Sequence, residues 1–124
     1  MSKRGENCRD ERGRWDPGGG AVKMFETIDE TLHREIAEEY GTKILSYEFL
    51  GFRELIRSVN DGEKTHWIAL DYLVHVDEKL VRNNEPKKFE AVAWFRLNSL
   101  PSPVHSQLMT AIRKYEVLKK MYEK

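Results

Sequence analysis

Apolar residues recur at two different periods along the chain, and the change of period divides it into elements. Ile28, Leu32 and Ile36 stand at i, i+4 and i+8, an apolar stripe that predicts a helix over about Asp29 to Tyr40. Thr27 or Asp29 can cap its start, acids crowd its first turn, and Gly41 stops it. From Lys43 to Val59 the pattern turns strand-like, through Ile44, Leu45, Tyr47, Phe49, Leu50, Phe52, Leu55 and Ile56, with Gly51 marking a bend or bulge. Asn60-Asp61-Gly62 predicts a hairpin turn. The strand that follows, Thr65 to Val76, carries Ile68, Leu70, Tyr72, Val74 and Val76 on one face. Trp67, Ala69, Leu73 and His75 lie on the other, with Asp71 among them. Two apolar faces predict a central strand covered on both sides.

Asp77 to Lys88 is charged, holds Asn83, Asn84 and Pro86, and reads as a mobile surface loop. Phe89 to Leu97 reads as another strand. Leu100-Pro101-Ser102-Pro103 opens a second helix, with Ser102 as cap, Pro103 at its first position, and Leu108, Ile112, Tyr115 and Tyr122 as its stripe. The polar stretch Met1 to Arg14 reads as loop, and Trp15-Asp16-Pro17-Gly18-Gly19-Gly20 as a tight glycine turn able to approach a ligand closely. A loop, a helix, three or more strands and a helix make a layered α/β domain.

Composition narrows the partners. With 124 residues the chain is long enough for one domain with a core, here taken as 1–124. Lys+Arg and Asp+Glu both number 21, so no global basic field argues for a nucleic-acid polymer. A lone Cys8, an ordinary surface or packed thiol, cannot form an internal disulfide and fits a cytoplasmic setting. No apolar run suits a membrane span and no signal peptide is visible. His33, His66, His75 and His105 are too scattered for a metal trio and receive no catalytic role.

The chemistry lies in the acids of the first helix. Glu35, Glu38 and Glu39 stand at i, i+3 and i+4, on one face that overlaps the margin of the apolar stripe. Carboxylates crowded there repel one another and resist desolvation, and a hard divalent cation relieves both costs. A Glu-rich helix face is more often simply solvated. Against that reading stands the register of Gly20, Glu26, Arg34, Glu35, Ile36, Glu38, Glu39 and Gly41, which resembles the signature box of the Nudix hydrolase superfamily. Thr42 departs from the box, where an aliphatic residue is usual. Gly18 stands where a Pro is usual, and Phe25 where a small Gly commonly precedes the first box Glu. The likeness extends over nearly the whole chain, since Glu85-Pro86, Ala93-Trp94-Phe95 and Leu100-Pro101 look like the end of such a domain.

The resemblance implies a Nudix-type α/β/α sandwich with a mixed sheet, but lacking the usual N-terminal strand or strands ahead of Lys3-Arg4-Gly5. Either the start is truncated or a partner chain completes the sheet at its open edge, which leaves a homodimer open. It also implies Mg²⁺-dependent hydrolysis, with Mn²⁺ as a substitute, of a nucleoside diphosphate linked to another moiety. The substrate would be a small nucleotide: a nucleoside triphosphate, oxidised or not, or a nucleotide sugar such as ADP-ribose. On this reading Glu35 and Glu39 are metal ligands, Glu38 is a further ligand or the base for water, and Gly20 offers backbone oxygen or lets the loop pass. Arg34 holds the cluster by pairing with Glu26, beside an ordinary i,i+4 pair with Glu38. Glu90, with Glu85 behind it, is the candidate for an additional acid from outside the helix, although Ala91 breaks the family's adjacent-acid pattern and a solvated strand edge is the commoner role. Trp67, Tyr47, Phe52 and Tyr72 are available to stack a base, though aromatics in strands mostly fill cores. The alternative is a catalytically silent Nudix-like domain that binds a nucleotide or a protein.

Overall fold

The computed structural model describes residues 1–59 and 62–122, with no side chain described at Val59 or beyond Glu116. The predicted turn at Asn60-Asp61 therefore lies outside the described residues, as does the side chain of Tyr122. The chain forms two compact units: Met1–Leu45 with Val76–Leu108, and Ser46–His75 with the segment from Met109 onward. Among the described residues no helix is long and apolar enough to cross a membrane.

The first unit is built on a three-stranded sheet in the order β2, β1, β5, where β1 is Ser2–Arg4, β2 is Trp15–Asp16 and β5 is Phe89–Val92. Both pairings are antiparallel, with Ser2 opposite Asp16 on one side and Val92 on the other. A parallel bridge between Trp15 and Val104 extends the sheet at its margin. The predicted N-terminal loop thus contains a strand. At three residues it is too short to show alternation, and its partners lie far along the chain. Ser2 and Phe89 are fully enclosed here, and Cys8 is buried with its thiol donating to the Lys88 carbonyl at 3.2 Å.

Helix α1 runs from Ile28 to Tyr40. Thr27 caps it in a reciprocal box: its hydroxyl accepts from the Glu30 N–H at 3.1 Å, and the Glu30 carboxylate accepts from the Thr27 N–H at 3.4 Å. Such a cap stabilises a helix by about 1 kcal/mol. The other end closes on Gly41, in the left-handed conformation at φ 63°. The deepest face of α1 is not the apolar stripe. Ile28, Leu32 and Ile36 are only partly covered, whereas Thr31, Glu39 and Tyr40 are buried.

The stretch after β4 (Glu63–Val76) is tied down rather than free. A short 3-10 turn, Glu78–Leu80, leads to Arg82, whose N–H donates to the Tyr40 carbonyl at 2.9 Å. Asn84 donates from its backbone to Glu39 O and from its side chain to Ala37 O and Glu38 O. These bonds satisfy carbonyls that a helix end otherwise leaves open. Thr42, the departure from the box, is buried and its hydroxyl donates to the Asp77 carbonyl at 2.7 Å. An aliphatic side chain there could not.

The second unit pairs β3 (Ile44–Val59) with β4 in a two-stranded sheet and includes most of α2 (Leu108–Tyr122). Tyr72 meets Tyr47 edge-on and Phe49 at a tilt, with ring centroids 5.6 and 5.2 Å apart. Arg53 forks onto Asp71 at 2.7 and 2.8 Å, and Lys114 of α2 donates to the Phe52 carbonyl at 2.6 Å. The expectation of a covered central strand fails: Trp67 and Ile68, on opposite faces of β4, are both exposed. Apolar composition predicted cover, but among the described strands β4 pairs only with β3. Helix α2 also begins at Leu108, later than Pro103. Pro103 instead accepts from the Trp15 N–H at 3.0 Å, in line with the sheet's edge. Likewise β5 ends at Val92, short of the predicted Leu97.

Candidate active site

The glycine turn, the cap of α1 and the last turn of α1 bring one set of charged groups together. Arg34 is the hub. Its guanidinium forks onto Glu26, with Nε to Oε2 at 2.7 Å and Nη2 to Oε1 at 2.9 Å. Nη1 reaches Glu35 at 2.6 Å and Glu38 at 3.3 Å, and Nη2 also donates to the Ala21 carbonyl at 3.0 Å. Both pairings considered from the sequence, with Glu26 and with Glu38, are therefore present. Arg34's hydrogen bonds, then that of the Thr31 hydroxyl, hold the Glu26 carboxyl down to about 2, so it is ionised at any ordinary pH. The pairing with Glu26 raises Arg34 in turn.

Glu35 lies against the glycine turn. A Cβ on Gly20 would overlap the Glu35 carboxylate, so only glycine lets the loop pass this close. Glu39 stands one turn on from Glu35, whose charge opposes its ionisation, and it is the anomaly of the fold. It is 2 % exposed, and among the described residues its Oε2 has no hydrogen-bond partner. Burial pushes its carboxyl up to about 8; Lys88 opposes this, while Glu35 and Asp16 add to it. A buried carboxylate with an orphaned oxygen costs free energy, and protonation relieves only part of that cost. Gly18 closes over it in the left-handed region, at φ 106°, with space for a Cβ only 3.3 Å from Glu39 Oε2.

These donors fit a small hard cation. Among the described residues no three Asp, Glu, His or Cys side chains converge into a cage. A Mg²⁺-sized ion does not need one, because it is commonly held by one or two carboxylates, waters and substrate phosphates. Glu35 and Glu39 supply the pair, and the orphaned oxygen is the donor that lacks a partner. Glu38 is half exposed and leans on Arg34 through one oxygen. Glu90 pairs with Lys3 at 3.6 Å, so its observed contact is with β1 rather than with this pair. The Glu85 carbonyl turns the chain back by accepting from the Lys88 and Phe89 N–H groups.

Two participants escaped the sequence reading. Asp16 accepts from the Gly18 N–H at 2.8 Å and from Arg4 at 2.8 Å. Asn84 caps the carbonyl end of the helix that carries the acids. No spacing rule links Arg4 to Asp16 or Asn84 to Glu38, because both contacts are made by tertiary structure. The only local signal was the Asp in the turn-forming run before Pro17, a residue type that takes up nearby backbone N–H groups.

Known proteins share this chain's sequence and fold. The NUDIX domain family matches residues 1–121. Nucleoside triphosphatase NudI of Escherichia coli (strain SE11) is 36 % identical over 109 residues, covering 82 % of this chain and 73 % of that protein, and NudI of Shigella flexneri matches to the same extent. The crystal structure of MutT NUDIX hydrolase from Burkholderia pseudomallei superposes with a TM-score of 0.78 at 32 % identity, covering 91 % of this chain and 84 % of that one. The mixed α/β architecture is thus that of the Nudix fold. Nudix hydrolases act on small nucleotides at pyrophosphate bonds and generally use divalent metal ions. The chain belongs to the Nudix family and is a Nudix pyrophosphohydrolase.

Proposed function

We propose that this enzyme hydrolyses a nucleoside triphosphate at a P–O–P bridge with Mg²⁺ as its ion, Mn²⁺ serving as a substitute. The observation that carries the reading is the buried Glu39 carboxyl, whose Oε2 lies under Gly18 of the glycine turn without a hydrogen-bond partner among the described residues, with Glu35 as its charged neighbour. The choice of a triphosphate over a nucleotide sugar leans on the name of the NudI relatives.

Phosphoanhydrides resist water because their oxygens repel a nucleophile; a bound divalent ion supplies charge neutralisation and a more acidic water. Glu35 and Glu39 would hold that ion, with Gly20 offering backbone oxygen. Glu39 keeps its proton near neutral pH until a cation competes for the site. Arg34 holds Glu35 and Glu38 in fixed relation to the Glu26 carboxylate, so the acids do not splay apart through mutual repulsion. Glu38 Oε2 is engaged with Arg34, which leaves Oε1 to take a proton from water or to join the ligand set.

The test is product release over a panel of canonical and 8-oxo nucleoside triphosphates, ADP-ribose and other nucleotide sugars, with Mg²⁺ present or chelated, alongside Glu39→Gln. Triphosphate turnover that disappears with chelator and in the variant is the expected result. Turnover untouched by Glu39→Gln would remove the ion-site assignment, and preference for a sugar nucleotide would replace the substrate.

A further inference from the structure

We infer that Arg4 and Asp16 are positioning residues: together they form a charged strut that fixes the glycine turn over the Glu35–Glu39 pair. The inference rests on the reading of that pair as the ion site.

Arg4 sits at the end of β1 with most of its side chain covered. Its Nη1 donates to Asp16 Oδ2 at 2.8 Å, its Nη2 to Asp10 Oδ1 at 3.1 Å and its Nε to the Asp10 carbonyl at 2.9 Å. All three guanidinium nitrogens are spoken for, so the fork cannot swing. Asp16 ends β2, is 9 % exposed, and spends its other oxygen, Oδ1, on the Gly18 N–H at 2.8 Å. Gly18 is the residue that backs onto Glu39 Oε2 and the Tyr40 ring, and Gly20, two residues on, is the one that backs onto Glu35. From the other side, the Tyr40 hydroxyl donates to the Pro17 carbonyl at 3.1 Å. The turn is therefore held at Pro17 by the helix and at Gly18 by the sheet.

The charge of Asp16 argues that position, not stability, is what this contact supplies. A second carboxylate beside Glu39 raises the cost of ionising it, and a covered ion pair is a weak source of stability compared with apolar packing of the same shape. What the pair provides is direction. The guanidinium, anchored on Asp10 by Nε and Nη2, holds Asp16 Oδ2 through Nη1, and with one carboxylate oxygen fixed the other sets where the Gly18 N–H points. Outer partners of metal-binding groups act in this way on the ligands they orient.

The test uses the full chain with Mn²⁺ as the probe ion. Amide hydrogen exchange at Gly18, Mn²⁺ affinity by calorimetry, and kcat and KM are compared between the parent, Asp16→Ala, Asp16→Asn and Arg4→Lys. Asp16→Ala should speed Gly18 exchange at least about tenfold and weaken Mn²⁺ about 10–100-fold, with kcat falling and KM nearly unmoved. Asp16→Asn keeps an acceptor for Gly18 and should restore protection and most of the affinity. Arg4→Lys keeps the charge but loses the fork, and should weaken Mn²⁺ several-fold. Parental Mn²⁺ affinity in a cooperatively melting Asp16→Ala variant overturns the strut. If that variant does not fold, parental affinity in Arg4→Lys overturns it instead. If the parent binds no Mn²⁺ at all, the ion-site reading fails, and Gly18 exchange alone decides whether the strut holds the turn.

Discussion

The two units of this chain differ in how much charge they enclose, although Arg53 forks onto Asp71 in the second and Phe25 and Trp94 lie open in the first. In the first, charged side chains are drawn inward and bonded: Arg34 serves three carboxylates, Arg4 two, and Glu39 is buried outright. In the second, large apolar side chains lie open: Phe52 and Ile56 on β3, with Trp67 and Ile68 on β4, are all exposed. Where charge is enclosed, every contact has a direction, and removing one partner leaves the other uncompensated. Where apolar surface is open, little is lost when a side chain changes. The proposed ion site draws its precision from the first arrangement, and tolerance belongs to the second.

The largest effect expected is on activity. Glu39→Gln should lower kcat/KM by at least about a thousandfold, the several kcal/mol that ion chemistry contributes, while leaving the metal-free protein at least as stable as the parent. Steady-state rates and a denaturant melt on one preparation check both halves. A variant that is both active and unstable would reverse the comparison.

Next comes a matched pair of packing changes. Phe89→Ala empties a fully enclosed site and should cost about 3–5 kcal/mol, whereas Trp67→Ser on the open hairpin should stay within about 0.5 kcal/mol. Equal costs in urea titrations would mean that the hairpin face is covered in solution.

A third prediction concerns pH. The Glu39 carboxyl is raised in the folded state, so the metal-free fold binds a proton that the unfolded chain releases above its ordinary value near 4.5. Stability without metal should therefore decline as pH rises from about 5 to about 8, and Mn²⁺ affinity should climb over the same window by up to about tenfold per unit. Glu39→Gln should flatten both slopes. Glu26, held low by Arg34, contributes in the opposite sense: its stabilisation is full above about 4.5 and is lost as pH falls from there to about 2.

The smallest expected effect is at Thr42. Thr42→Val restores the aliphatic residue usual in the box but removes one of two donors to the Asp77 carbonyl, which still accepts from the Leu80 N–H, and should cost about 0.5–1.5 kcal/mol in a thermal or urea melt. A gain in stability would show that apolar burial outweighs that bond.

These contrasts also explain what could be read in advance. The ends of α1, the Thr27 cap and the Arg34 contacts with Glu26 and Glu38 were legible because they follow from spacing within one helix and its approach loop. The depth of Glu39 was legible only in part: spacing put it at the margin of the apolar stripe, and only tertiary packing encloses it outright. Strand β1 and the Arg4–Asp16 contact were hidden because both join residues whose neighbourhood is made by pairing across the chain. The exposed faces of β4 were misjudged for a related reason: alternation reports which side chains share a face, not whether anything covers it. Glu90 was weighed by motif alone, and its ion pair with Lys3 became visible only once β5 was seen beside β1.

Phe25, just ahead of the first box glutamate, has its backbone at φ 65° and its ring 97 % exposed. The conformation is one that a bulky L-residue adopts at a cost of about 1–2 kcal/mol, and the open ring recovers none of it through packing. In a random library selected only for survival at high temperature, this is where a glycine or asparagine would be enriched early, and a separate selection on turnover would show whether the phenylalanine serves the substrate.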